Sequence, residues 1–241
     1  MSPKRAHSEG AASAMPGAVW FREPRPAGRA QALTRERIVA AAVALLDEHG
    51  VAGLSMRKLA EVLNVHATSL YWHVPHRDDL LDLALDAVFA DVALPARHSA
   101  EWRADVAAFM DEWRAALLRH PWSGPLAGSR PLLGPNALAR SEFVFAALVS
   151  GGFTGDDLTA AAGAVSNYVI GTVAAEVPWK VASRADEEGA RSALISRLRG
   201  AAETHPTLAA HPPALRADWD RHYARGRDFL LDGLAAARPR S

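Results

Sequence analysis

Two short helical patterns divided by one tight turn, in the run GLSMRKLAEVLNVHATSLYWHVPHR at residues 53–77, constrain the fold more than any other part of the chain. Ser55 is placed to cap the first pattern, which buries Leu59 and Leu63 and keeps small Ala60 where a second helix must come close. Asn64 suits the left-handed backbone that a tight turn needs, and Val65 plugs the corner. The second pattern starts near His66; it turns Leu70 inward and presents Ala67, Thr68, Ser69, Tyr71 and His73 outward, with Trp72 expected in the core. A short helix with short polar side chains suits entry into the DNA major groove, about 12 Å wide.

The flanking segments keep the helical period. Thr34 is a good cap for a helix ending near His49, with Ile38, Ala42 and Leu45 on one face and Gly50 as its stop. Leu80, Leu83, Ala84, Ala87 and Val88 stripe a helix over residues 76–92. Trp102, Val106, Phe109, Trp113, Ala116 and Leu117 share one face of a helix that closes at His120 and Pro121. A Gly/Pro-rich connection over 123–135 precedes a helix over 136–149, and a helix uncharged over 158–175 then runs to Val177, ahead of Pro178. The uncharged stretch 158–175 contains Thr159, Gly163, Ser166, Asn167, Gly171 and Thr172, so it reads as a buried helix and not a membrane span. Helices over 187–202 and 214–237 complete the chain, and no segment alternates with period two. The fold class is all-α: a flexible basic arm at 1–33, a three-helix helix-turn-helix DNA-binding domain at 34–77, and a larger helical ligand-binding and dimerisation domain at 78–241.

Charge places the nucleic-acid surface. The 241 residues hold 27 basic and 27 acidic side chains, but residues 1–77 carry ten basic against six acidic. The absence of cysteine excludes thiolate metal sites and a cysteine nucleophile, and residues 1–32 lack the apolar run of a signal peptide. A cytoplasmic protein is expected, without a membrane partner. His73 and His76 are split by Pro75, and His205 and His211 flank separate prolines, so no metal site, cofactor or catalytic arrangement is expected.

The run at 53–77 resembles the DNA-binding domain of the tetracycline-repressor (TetR) family. The resemblance covers residues 33–94, with LYWHV at 70–74 and DDLL at 78–81 in register. It implies DNA contacts from Arg57 and Lys58 on the second helix, Thr68, Ser69, Tyr71 and His73 on the reading helix, and Arg77 at the start of the fourth. By chemistry Arg57 is the candidate for a bidentate guanine contact, while Lys58, Thr68, Ser69, Tyr71 and Arg77 suit phosphates. Ala67 stands where the tetracycline-binding member has a base-reading amide, and Asn64 replaces its turn glycine, so a different operator is expected.

The resemblance also implies a homodimer built from the last long helices, and hence a palindromic operator in double-stranded DNA. Gly163 and Gly171, and Gly226 and Gly233, are spaced to let such helices approach closely. More weakly, residues 115–120, 128–131 and 164–173 resemble the family's tetracycline-binding domain. The positions matching its drug and magnesium ligands are Leu126, Phe109, Asn167 and Ala175, so tetracycline is not the expected signal. Phe109, Trp113, Phe143 and Tyr168, with Arg130 and Asn167, are instead expected to line a pocket for a small hydrophobic effector. A repressor released by that effector is the expectation; an activating or ligand-independent regulator remains the alternative, since the sign depends on where the operator lies.

Overall fold

Apolar side chains at helical spacing produce helices throughout the computed structural model, which describes residues 16–22, 33–181, 184–211 and 219–238. No strand occurs among the described residues. The helices are α1 (Arg35–Gly53), α2 (Met56–Leu63), α3 (Ala67–His73), α4 (Arg77–Ala90), α5 (Trp102–Arg119), α6 (Ser123–Ala127), α7 (Pro135–Ser150), α8 (Gly155–Val181), α9 (Arg184–Gly200), α10 (Pro206–Ala210) and α11 (Trp219–Ala237). The chain divides into two compact units, Met1–Ile170 and Gly171–Ser241.

Local chemistry accounts for some of the helix ends. Thr34 Oγ1 accepts from the Arg37 N–H at 3.3 Å, as a cap should. Gly50 takes a left-handed φ of 65° and kinks α1, but the helix resumes to Gly53 instead of stopping. The expected connection at 123–135 contains the short α6. Pro178 does not end α8; it lies in the final turn, where the missing N–H removes only the bond to the carbonyl four residues earlier.

In the first unit α4 is the central element, packing on α1, α5, α6, α7 and a 3-10 turn at Ala18–Phe21. Ile38, Leu46, Leu59, Leu70, Leu80, Leu81, Leu85, Met110, Trp113, Leu117 and Leu148 are fully buried. Within the expected arm, residues 16–22 carry the 3-10 turn: Ala18 and Val19 are buried, and Arg22 pairs with Asp79 of α4. The rest of the expected arm, except Leu33, lies outside the described residues.

The N-terminus of α7 is held by a buried carboxylate. Asp86 accepts from the Asn136 N–H, the Asn136 Nδ2 and the Ala137 N–H at 3.3, 3.0 and 2.9 Å. A Cβ on Gly134 would lie 2.2 Å from that carboxyl group, which cannot retreat without losing these bonds. Gly134→Ala should therefore destabilise the chain by about 1–3 kcal/mol. Urea unfolding checks this against Gly189→Ala, where an added Cβ meets nothing within 4 Å and stability should hold or rise.

In the second unit Val173, Glu176, Tyr223 and Leu231 are buried, and α9 and α10 pack together. Helix α8, read from sequence as buried, is only partly covered by the described residues. Its most apolar 18-residue window has mean hydropathy 1.3, and only 28% of it is buried.

Candidate nucleic-acid interface and effector site

The turn between α2 and α3 is built by its own residues. Ser55 Oγ accepts from the Lys58 N–H at 3.1 Å and opens α2. Asn64 sits in the left-handed region at φ 52°, ψ 49°, and its N–H donates to the Glu61 carbonyl at 3.1 Å. The Val65 N–H then closes on the Ala60 carbonyl at 3.0 Å. Leu59, Ala60 and Leu70 are buried, so α3 rests on α2 through Leu70. Leu63 is only half-buried.

This seating leaves the rest of α3 facing outward. Thr68 and Tyr71 are exposed; Ser69 and His73 are half-buried. Trp72 was expected in the core, yet it is 69% exposed. A helix of two turns has one inward position here, and Leu70 fills it. Trp72 thus joins Tyr71 as a large aromatic on the open surface of α3.

Two arginines differ in their freedom. Arg57 is 90% exposed and its Nε donates to Glu61 Oε1 at 3.0 Å. Such a pair on a helix surface is worth only about 0.3–0.5 kcal/mol, so a base edge can displace it. Lys58 beside it is half-buried. Arg77 is more committed: its Nε donates to the Leu54 carbonyl at 2.9 Å and its Nη2 to the Val51 carbonyl. It fastens the start of α4 to the end of α1. Glu36, in the first turn of α1, is held below the usual carboxylate range by its own backbone hydrogen bond and by Thr34.

The expected effector residues are not gathered into one pocket. Phe109 and Trp113 are buried with ring centres 5.4 Å apart, and Phe89 of α4 also lies 5.4 Å from Trp113. Phe143 stacks on His98 at 4.2 Å. Arg130 points to α4 instead: Nη1 donates to Asp82 Oδ1 and Nη2 to Asp78 Oδ1, each at 2.7 Å. Burial works to lower its pKa, but the bonds to Asp82 and Asp78 outweigh this and hold it above its ordinary value. Asn167 is exposed and Tyr168 half-buried, so helical phase carries the asparagine away from the aromatic layer. Within that layer the buried Trp113 Nε1 has no hydrogen-bond partner among the described residues. A separate cavity of about 150 Å³ lies in the second unit, lined by Gly171, Thr172, Ala175, Glu176, Trp219, His222 and Tyr223, a set that sequence reasoning did not single out.

Comparisons with known proteins match both parts of the chain. Residues 38–84 match the model of the bacterial regulatory proteins of the tetR family, and residues 94–238 match the tetracyclin repressor-like C-terminal domain. An HTH-type transcriptional regulator of Saccharopolyspora erythraea is 54% identical over 233 residues, covering 97% of this chain and 96% of the relative. The HTH-type transcriptional repressor DrrR1 of Streptomyces coeruleorubidus is 33% identical, over 90% of this chain and 83% of the relative. Among solved structures, ActR of Streptomyces coelicolor in complex with actinorhodin superposes with a TM-score of 0.78 at 30% identity, over 87% of this chain and 98% of that one.

Proposed function

Since the chain belongs to the tetR family of bacterial regulatory proteins and is a helix-turn-helix transcriptional regulator, we propose that it represses transcription as a homodimer on a palindromic operator and is released by a small hydrophobic effector. The observation that carries this reading is the α3 surface, where Thr68 and Tyr71 stand exposed above the buried Leu70, with Arg57 free to reach a base edge. In the proposed complex Arg57 reads a guanine, and Lys58, Thr68, Ser69, Tyr71 and His73 set register on phosphates. Arg77 acts chiefly as the brace between head and α4, with its phosphate contact left to Nη1. Residues 34–77 form the reading head and residues 78–241 the effector and dimer domain. The protein works in the cytoplasm, where its operator is, and regulates without catalysis.

Helix α8 supports the dimer. An apolar helix only partly covered by the described residues, with Gly163 and Gly171 presenting open space to an approaching backbone, has the features of a subunit contact. Phe89, Phe109 and Trp113 support the effector. A buried indole N–H without an acceptor is costly, and a ligand oxygen placed among these rings would satisfy it. DrrR1 is named a repressor and the ActR structure is in complex with actinorhodin, which favours repression relieved by a small-molecule effector.

Light scattering should give a mass of about twice the 25.8 kDa chain. Titrating lipophilic aromatic compounds into the protein–operator complex should then lower the anisotropy of labelled DNA. A monomer bound to DNA would contradict the dimer, and a complex indifferent to every such compound would contradict the effector.

A further inference from the structure

Three aspartates on one face of α4 hold separate segments of the chain. Asp79, Asp82 and Asp86 follow one another at three and four residues, and are 3%, 3% and 6% exposed. Asp86 takes the N-terminus of α7. Asp82 is shared: Oδ1 accepts from Arg130 Nη1, and Oδ2 accepts from the Gly17 N–H, both at 2.7 Å. Asp79 pairs with Arg22. Between these two anchors Ala18 and Val19 are buried, and Trp20 borders a crevice with Leu85, Phe89 and Pro131. Gly17 is needed for the entry, because its φ is 82° and the Pro131 side chain lies 3.3 Å from where a Cβ would be.

We propose that residues 17–22 are a strap that clamps α4 and so holds the reading head in its DNA-binding pose, and are not an arm for the minor groove. Detaching the strap would leave Asp79 a buried carboxylate without this counter-charge and Asp82 without its backbone donor, a strongly unfavourable exchange. The strap's hold reaches the head because Arg77, two residues before Asp79, fastens α4 to the carbonyls of Val51 and Leu54 at the end of α1. Two heads must meet half-sites about 34–36 Å apart, so each additional pose of α4 lowers the competent fraction and with it the apparent affinity.

The DNA part of the test rests on the regulator reading, whereas the exchange part does not. Arg22→Ala, Asp79→Asn and the double variant are compared in the full-length protein by amide hydrogen exchange and by binding to a duplex that the wild type selects from random DNA. Peptides covering residues 77–90 should exchange about ten-fold faster in Arg22→Ala. Operator Kd should rise about five-fold or more with the slope of log K against log salt unchanged, and the double variant should be no worse than the worse single one. If Arg22→Ala does not fold, Arg22→Gln, which keeps a donor toward Asp79, is read the same way. Unchanged exchange over 77–90 would overturn the strap. A salt slope reduced by about one unit per lost phosphate contact, with α4 still protected, would overturn it in favour of a DNA-contacting arm. Looser α4 with unchanged or tighter operator binding would overturn its hold on the head.

Discussion

Arg130→Ala should lower the unfolding free energy by about 3 kcal/mol, although Arg130 stands near no described catalytic or metal group. Its side chain is 10% exposed and that of Asp82 2%, so the pair is removed from water on both sides. The substitution takes away the charge opposing Asp82 and leaves that carboxylate with the Gly17 N–H alone among the bonds described above. It also frees Asp78, but that side chain is 67% exposed and its contact contributes little. Arg130→Lys should recover only part of the loss, since one ammonium cannot span Asp78 and Asp82 in the planar geometry of a guanidinium. Guanidinium unfolding of the three proteins checks the order wild type, Lys, Ala. Equal stability of the Ala variant and the wild type, with altered release from DNA by an aromatic compound, would return Arg130 to the effector site.

The second large effect belongs to Arg57. Arg57→Ala should reduce discrimination against the wrong base at one position of each half-site by about 1–3 kcal/mol, and a symmetric dimer feels this twice. The lost Glu61 contact is too weak to obscure the result. Binding to the selected operator and to duplexes changed at single positions should converge at one symmetric pair of positions and stay distinct elsewhere. Uniform weakening on every sequence would instead make Arg57 a phosphate contact.

The parts of this molecule legible in its sequence are those decided within a few residues. Thr34 and Ser55 cap where expected because a cap needs only the N–H three positions on, and Asn64 is left-handed because the turn demands it. Leu70 is buried because a two-turn helix seats one residue. Trp72 was misplaced for the complementary reason: its apolar bulk suggested the core, but the inward position was already filled. The aspartates of α4 were missed because a carboxylate on a helix normally marks its solvated face. Here partners 48 to 65 residues away along the chain neutralise that face, and no local period signals them. The placement of the expected effector residues was not legible for the same reason, since Arg130 joins α4 and Asn167 turns outward.

Helix α3, carried twice in a symmetric dimer, is proposed to read a specific DNA sequence. Selection from random duplex DNA with the full-length protein, followed by sequencing, tests it most directly. One inverted repeat should be enriched, and that enrichment should be lost for Thr68→Ala/Tyr71→Ala with the protein still folded and dimeric. No enriched sequence, or the same enrichment with the doubly substituted protein, would contradict it.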